Sequence, residues 1–166
     1  MLSTNMTNAL NAQINAELWS AYLYLSMSLY ADRIDLPGLS HWMYVQWQEE
    51  QHHARLLQQY MLSQEAPVQL QPIAAVPTKW DDASEMVHET LLHEREVTAM
   101  INDLMDLAMD ERDYATINRL RWFVDEQMEE EEQARDLLAA LEQVDDSYGR
   151  YQLDRHLLSR QLATGE

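Results

Sequence analysis

Apolar residues recur every three or four positions through four long stretches of the chain, the period of helices that bury one face. In the first stretch, residues about 4–33, the stripe runs through Leu10, Ile14, Ala21 and Tyr24, with Ser3, Thr4 or Asn5 placed to cap it. It stops at Asp35-Leu36-Pro37-Gly38 and resumes over about 39–64 through Met43, Trp47, Ala54 and Leu57. So short a link forces the two helices back along each other as antiparallel neighbours. A third stretch, about 82–109, carries Val87, Leu91, Val97 and Ile101 behind Asp81 or Asp82 as cap. After the charged link Asp110 to Asp113, a fourth, about 113–143, carries Leu120, Phe123, Ala134, Leu137 and Leu141. A short fifth segment, about 147–162, is amphipathic through Tyr151, Leu157, Leu158 and Leu162.

Between the second and third helices the period vanishes over about 65–81, where Pro67, Pro72 and Pro77 fall. A helix of this length measures roughly 39 Å at 1.5 Å per residue, and the extended loop reaches roughly 50 Å. The loop is therefore long enough to cross the whole bundle, and a crossing loop sets helix three parallel to helix two. The expected architecture is all-α: a four-helix bundle with one long crossover loop and a short fifth C-terminal helix, in one domain spanning 1–166. The three glycines, Gly38, Gly149 and Gly165, and the four prolines all sit where the helical pattern breaks or ends.

Each apolar stripe is interrupted once near its middle. Glu17 stands in the first, Glu50 with His53 in the second, Glu94 in the third, and Gln127 with Glu130 in the fourth. Glu50 and His53 are three residues apart and project from one side of their helix. Ionisable groups in a packing stripe are costly unless their charge is compensated, and a bound metal does so directly. Brought to one height, these groups form a pocket of four carboxylates, one imidazole and one amide, a donor set suited to Fe or Mn and open to Zn. Four carboxylates balance two divalent ions, and Glu50, flanked on both sides, is the natural bridge.

Composition narrows the partners. The formal net charge of -18 excludes a basic surface for nucleic acid or an anionic membrane, and favours cations. The absence of Cys excludes disulfides and thiolate ligands, leaving oxygen and imidazole nitrogen. No apolar run approaches a membrane span or a signal-peptide core, so a soluble, cytoplasmic protein is expected.

Four stretches together carry a resemblance over nearly the whole chain: Asn15-Ala16-Glu17-Leu18-Trp19-Ser20-Ala21-Tyr22, Gln46-Trp47-Gln48-Glu49-Glu50-Gln51-His52-His53-Ala54, His93-Glu94, and Phe123-Val124-Asp125-Glu126-Gln127-Met128-Glu129-Glu130-Glu131. In them the sequence resembles a non-haem ferritin of the bacterial and archaeal type, within the ferritin-like di-iron superfamily. The resemblance implies a ferroxidase that oxidises Fe(II) with dioxygen or hydrogen peroxide and stores ferric mineral in a hollow homo-oligomer, usually of twenty-four subunits. It implies two irons, one held by Glu17, Glu50 and His53, the other by Glu50, Glu94 and Glu130 with Gln127 beside them. Tyr24 matches the family's central tyrosine, which hydrogen-bonds a ligand carboxylate or donates an electron. Glu49, Glu126, Glu129 and Glu130 match a third iron position. Bacterioferritins have Met where this chain has Gln51, so no haem is expected; Gln127, in place of a second glutamate, predicts a more loosely held second iron.

Blander readings compete residue by residue. Glu50 with His53, taken alone, is more often a solvated i,i+3 pair; Tyr24 serves equally as a packed core residue; Glu126, Glu129, Glu131 and Glu132 read as a solvated face. His52 and His93 point about 100° away from their neighbouring ligands and are expected on the helix surface. At the level of function the rivals are a rubrerythrin-like di-iron oxidoreductase, disfavoured by the missing cysteines, a starvation-protective DNA-binding relative, disfavoured by the charge, and a structural bundle whose polar layer only fixes register.

Overall fold

The computed structural model describes residues 2–162; Met1 and residues 163–166, including the expected break at Gly165, lie outside the described residues. Five helices form: α1 (Thr4–Arg33), α2 (Pro37–Ser63), α3 (Ala83–Asp110), α4 (Tyr114–Glu142) and α5 (Ser147–Leu157). No strand occurs among the described residues. Caps fix the starts. Ser3, Asp82, Asp113 and Asp146 each accept a backbone N–H three residues on, at Met6, Glu85, Thr116 and Gly149.

The α2 start differs from expectation by two residues, because Pro37 fills a first-turn position where its missing N–H is no loss. Leu36 supplies no side-chain cap there. Asp154 of α5 does so instead, accepting from Gly38 N at 3.0 Å and Leu39 N at 2.9 Å. A Cβ on Gly38 would lie 1.6 Å from the Asp154 carbonyl oxygen, so this close docking requires glycine. The fifth helix is shorter than its amphipathic pattern: it ends at Leu157, Leu157 is its buried apolar contact, and Tyr151, Leu158 and Leu162 are exposed.

The crossover runs the length of α1. At its start, Pro67 O and Gln69 N bond the side chain of Asn11; further on, Pro77 O accepts from Ser26 and Trp80 O from Tyr30. The loop thus climbs from the beginning of α1 to its end, and α3 descends parallel to α2. Two apolar clusters fill the bundle. One gathers Met27, Leu39, Met43, Met86 and Leu137; the other gathers Leu10, Ile14, Leu57, Ile101 and Phe123. The polar interruptions lie between them.

Helices α1, α2 and α3 all end in the same way. Asp35, Glu65 and Arg112 take left-handed φ values of 61°, 56° and 54°, and the N–H groups of Leu36, Ala66 and Asp113 reach back to Ala31, Met61 and Ala108. This is the Schellman closure, which usually places glycine at the left-handed residue. Glu65→Gly and Arg112→Gly are each expected to stabilise the protein, by up to about 1 kcal/mol. Denaturant midpoints check this; a lowered midpoint would contradict it.

Candidate metal centre

Glu17 on α1, Glu50 and His53 on α2, Glu94 on α3, and Gln127 and Glu130 on α4 are all buried, none more than 4 % exposed. The interruptions of the four stripes therefore meet in one layer. Ligand atoms of Glu17, Glu50 and His53 lie within 4.8 Å of one another, as do those of His53, Glu126 and Glu130. His53 stands between the two groups, Nδ1 3.3 Å from Glu50 Oε2 and Nε2 3.6 Å from Glu126 Oε1. Glu94 accepts from the Tyr24 hydroxyl on one oxygen and from Gln127 Nε2 on the other at 3.1 Å.

Two further glutamines belong to this layer. Gln13 Nε2 donates to Glu17 Oε1 at 2.9 Å, and Gln46 Nε2 donates to Glu130 Oε2 at 2.7 Å and Glu50 Oε1 at 3.2 Å. Neither stands out in the sequence, although each is four residues before a candidate ligand glutamate and so one turn away on the same face.

The third set is brought together only in part: Glu126 and Glu130 lie in one group with His53, and Glu49 is near enough to raise Glu130. Glu126 joins His53, but Glu49 pairs with Arg160, and Glu129 is exposed in a surface groove beside Thr98, Asp125 and Arg135. His93 departs from its expected surface position. It packs on the Trp19 ring and lies 2.7 Å from Ser20 Oγ, because α1 and α3 close over it. His52 is likewise half-buried, its ring edge-on to Trp122.

The electrostatics are those of crowded acidic groups around one imidazole. Among the described residues no Lys or Arg forms an ion pair with Glu17, Glu50, Glu94 or Glu130. Burial, then the nearby Glu50 charge, pushes both Glu17 and Glu94 up to about 8, from an ordinary 4.5. Burial with the Glu94 and Glu50 charges raises Glu130 well above the usual range. Burial would raise Glu50 too, but the His53 imidazole outweighs it and holds Glu50 low. Burial opposes the charged form of His53, yet Glu50 and Glu126 raise it. Tyr24 is raised by burial and then by Glu94. Glu17 Oε2 is buried with no amide, hydroxyl or cationic donor beside it. Hard oxygen donors, one imidazole and an orphaned carboxylate oxygen together fit divalent first-row metal ions.

The ferritin-like domain model matches residues 7–144. The chain belongs to the ferritin family. The bacterial non-heme ferritin of Bacteroides fragilis is 38 % identical over 160 residues, covering 96 % of this chain and all of that one. That of Staphylococcus aureus is 32 % identical over 161 residues, covering 96 % and 97 %. Among solved structures, the open pore ferritin of the hyperthermophilic archaeon Archaeoglobus fulgidus superposes with a TM-score of 0.95 at 42 % identity, over 97 % of this chain and 100 % of that one. An engineered closed form of the same ferritin gives 0.96 at 42 % identity, over 98 % and 100 %. The ferritin fold is that of the sequence expectation, with its short fifth helix. Among the described residues no helix is long and apolar enough to cross a membrane.

The raised carboxyls tie stability to pH. Glu17 and Glu94 have folded-state values above their unfolded ones, so their stabilising contribution is complete below about 4.5 and is lost as pH rises toward about 8. The metal-free protein is accordingly expected to lose stability between about pH 4.5 and pH 8, and divalent metal to release protons on binding. Thermal midpoints across that range and proton release in weakly buffered titrations measure this; a metal-free midpoint that rises with pH would contradict it.

Proposed function

We propose that this ferritin oxidises Fe(II) at a paired site inside each subunit and stores the ferric product in a hollow homo-oligomer. The observation that carries this reading is the convergence of four buried, cation-free carboxylates and one imidazole on one layer. Iron is the substrate here. Glu17, Glu50 and His53 would hold one Fe(II), and Glu50, Glu94 and Glu130 the other, with Glu50 as bridge. His53 binds as the neutral imidazole, so its proton and those of Glu17 and Glu94 leave as iron arrives.

Each Fe(II) yields one electron. Two together reduce dioxygen, with two protons, to hydrogen peroxide, or reduce hydrogen peroxide, with two protons, to two waters. Holding both ions against one oxidant is what a paired site contributes, and the carboxylates stabilise the higher charge of the product. Tyr24 and Gln127 act on Glu94: their donated hydrogen bonds fix its two oxygens. Gln127 brings an amide where a carboxylate would bind harder, so the second iron is held less tightly and moves on.

Assembly into a cage, of twenty-four subunits as the reading has it, is supported by large apolar side chains left exposed on α1, α2 and the crossover, among them Leu29, Leu62 and Leu70. The similarity to an open pore ferritin and to its engineered closed form bears on the pore arrangement of that cage. The proposed compartment is the cytoplasm. A rubrerythrin-like oxidoreductase is disfavoured by the absence of cysteine for an electron-donating centre.

Aerobic addition of Fe(II) to metal-free protein, followed by ferric absorbance and size-exclusion, tests the proposal. Oxidation is expected to outrun a protein-free control and to fall by more than about 100-fold in Glu50→Ala, with iron eluting in a large assembly. Control-level oxidation, or iron that does not co-elute, would refute it. In anaerobic titration Gln127→Glu is expected to tighten the weaker of the two ions by roughly 10-fold; unchanged affinity would show that Gln127 does not set it.

A further inference from the structure

After α5 the chain turns back on itself, Ser159 N bonding His156 O and Arg160 N bonding Leu157 O, and returns to α2. The Arg160 carbonyl oxygen lies 2.9 Å from His41 Nε2. Its guanidinium lies over the Trp42 ring, 4.0 Å from the centroid, and donates from Nη1 to Trp42 O at 3.1 Å. From Nη2 it reaches three side-chain oxygens on two helices: Glu49 Oε2 at 2.6 Å, Gln46 Oε1 at 2.7 Å and Gln133 Oε1 at 3.0 Å. The Arg160 and Glu49 side chains are only 12 % and 5 % exposed, so this ion pair is largely shielded from water.

Gln46 is used at both ends. Its oxygen accepts from Arg160 while its nitrogen donates to Glu130 and Glu50. An amide presents an acceptor at one end and donors at the other, so fixing the oxygen on Arg160 decides which end faces the metal ligands. Turned over, it would set its carbonyl against two carboxylates.

We propose that Arg160 is a built-in cation closing the α2/α4 side of the centre: it keeps Glu49 in an ion pair, out of metal coordination, and acts through Gln46 as a positioning residue for Glu50 and Glu130. This rests on the two-metal reading given above. A buried carboxylate paired with good geometry gives up its partner at high cost, so a divalent ion that takes the paired oxygen of Glu49, Oε2, must displace Arg160. With Arg160 in place the chain holds two ions. With its charge removed, Glu49 and the oxygens of Gln46 and Gln133 form an oxygen-lined position for a third hard cation. The C-terminal tail thereby competes with metal for one side of the site.

Anaerobic Co(II) titration, read as ions bound per chain by equilibrium dialysis and by the visible ligand-field bands, tests this without turnover. The parent is expected to bind two ions, and Arg160→Gln to bind one more with altered bands. Arg160→Met, which keeps the packing on Trp42 without the charge, is expected to match Arg160→Gln and decides the question should the latter fail to fold. Arg160→Lys is expected to restore the parental number. A parental count of two shared by the Gln and Met variants, or a Lys variant that matches Gln, would overturn the proposal alone. A parent that binds no cobalt would refute the two-metal reading and the proposal with it.

Discussion

Carboxylates packed into an apolar bundle repel one another and are stripped of water, and both effects must be relieved for the fold to persist at neutral pH. In this chain burial and the neighbouring carboxylates raise Glu17, Glu94 and Glu130, which favours their neutral forms, while the adjacent His53 holds Glu50 low. In the proposed site, protons and metal ions would compete for the same oxygens. Much of the surrounding structure serves to keep the layer buried enough for that competition to be strong. Apolar clusters close it from both ends, and donors from Gln13, Gln46, Gln127 and Tyr24 fix the carboxylates without adding charge.

The layer exists only because of how the helices are connected. Had α2 and α3 been joined by a tight turn, α3 would run the other way. The proline-bearing crossover instead carries the chain back along α1, anchored at Asn11, Ser26 and Tyr30, so that α3 starts beside the end of α1. Glu94 then meets Tyr24, and α4 returns to set Gln127 against Glu94 and Glu130 beside Gln46. At the same end of the bundle, Asp154 caps α2 from α5, and that docking directs the tail toward Gln46.

Helical periodicity made the four long helices, the crossover and the polar layer legible in the sequence, because a charged residue inside an apolar stripe stands out whatever the register of its neighbours. What escaped was of a different physical kind. Gln13 and Gln46 are neutral and blend into polar composition, and only their spacing of four from Glu17 and Glu50 distinguishes them. Periodicity alone places His93 on the surface, because rotation about one helix axis says nothing of the second helix, here α1 with Trp19 and Ser20, that packs on it. The placing of Glu49 depends on Arg160, more than a hundred residues on and outside any helix, which no local pattern connects to it. The end of α5 was overrun for the same reason: the amphipathic pattern continues to Leu162, while tertiary contacts draw Arg160 away to α2.

Anomalous diffraction at the iron edge, from crystals of the protein loaded anaerobically with Fe(II), tests most directly whether the buried layer holds two metal ions. Two peaks per chain are expected, one among Glu17, Glu50 and His53 and one among Glu50, Glu94 and Glu130. An empty layer, with iron only on the acidic surface, would contradict it.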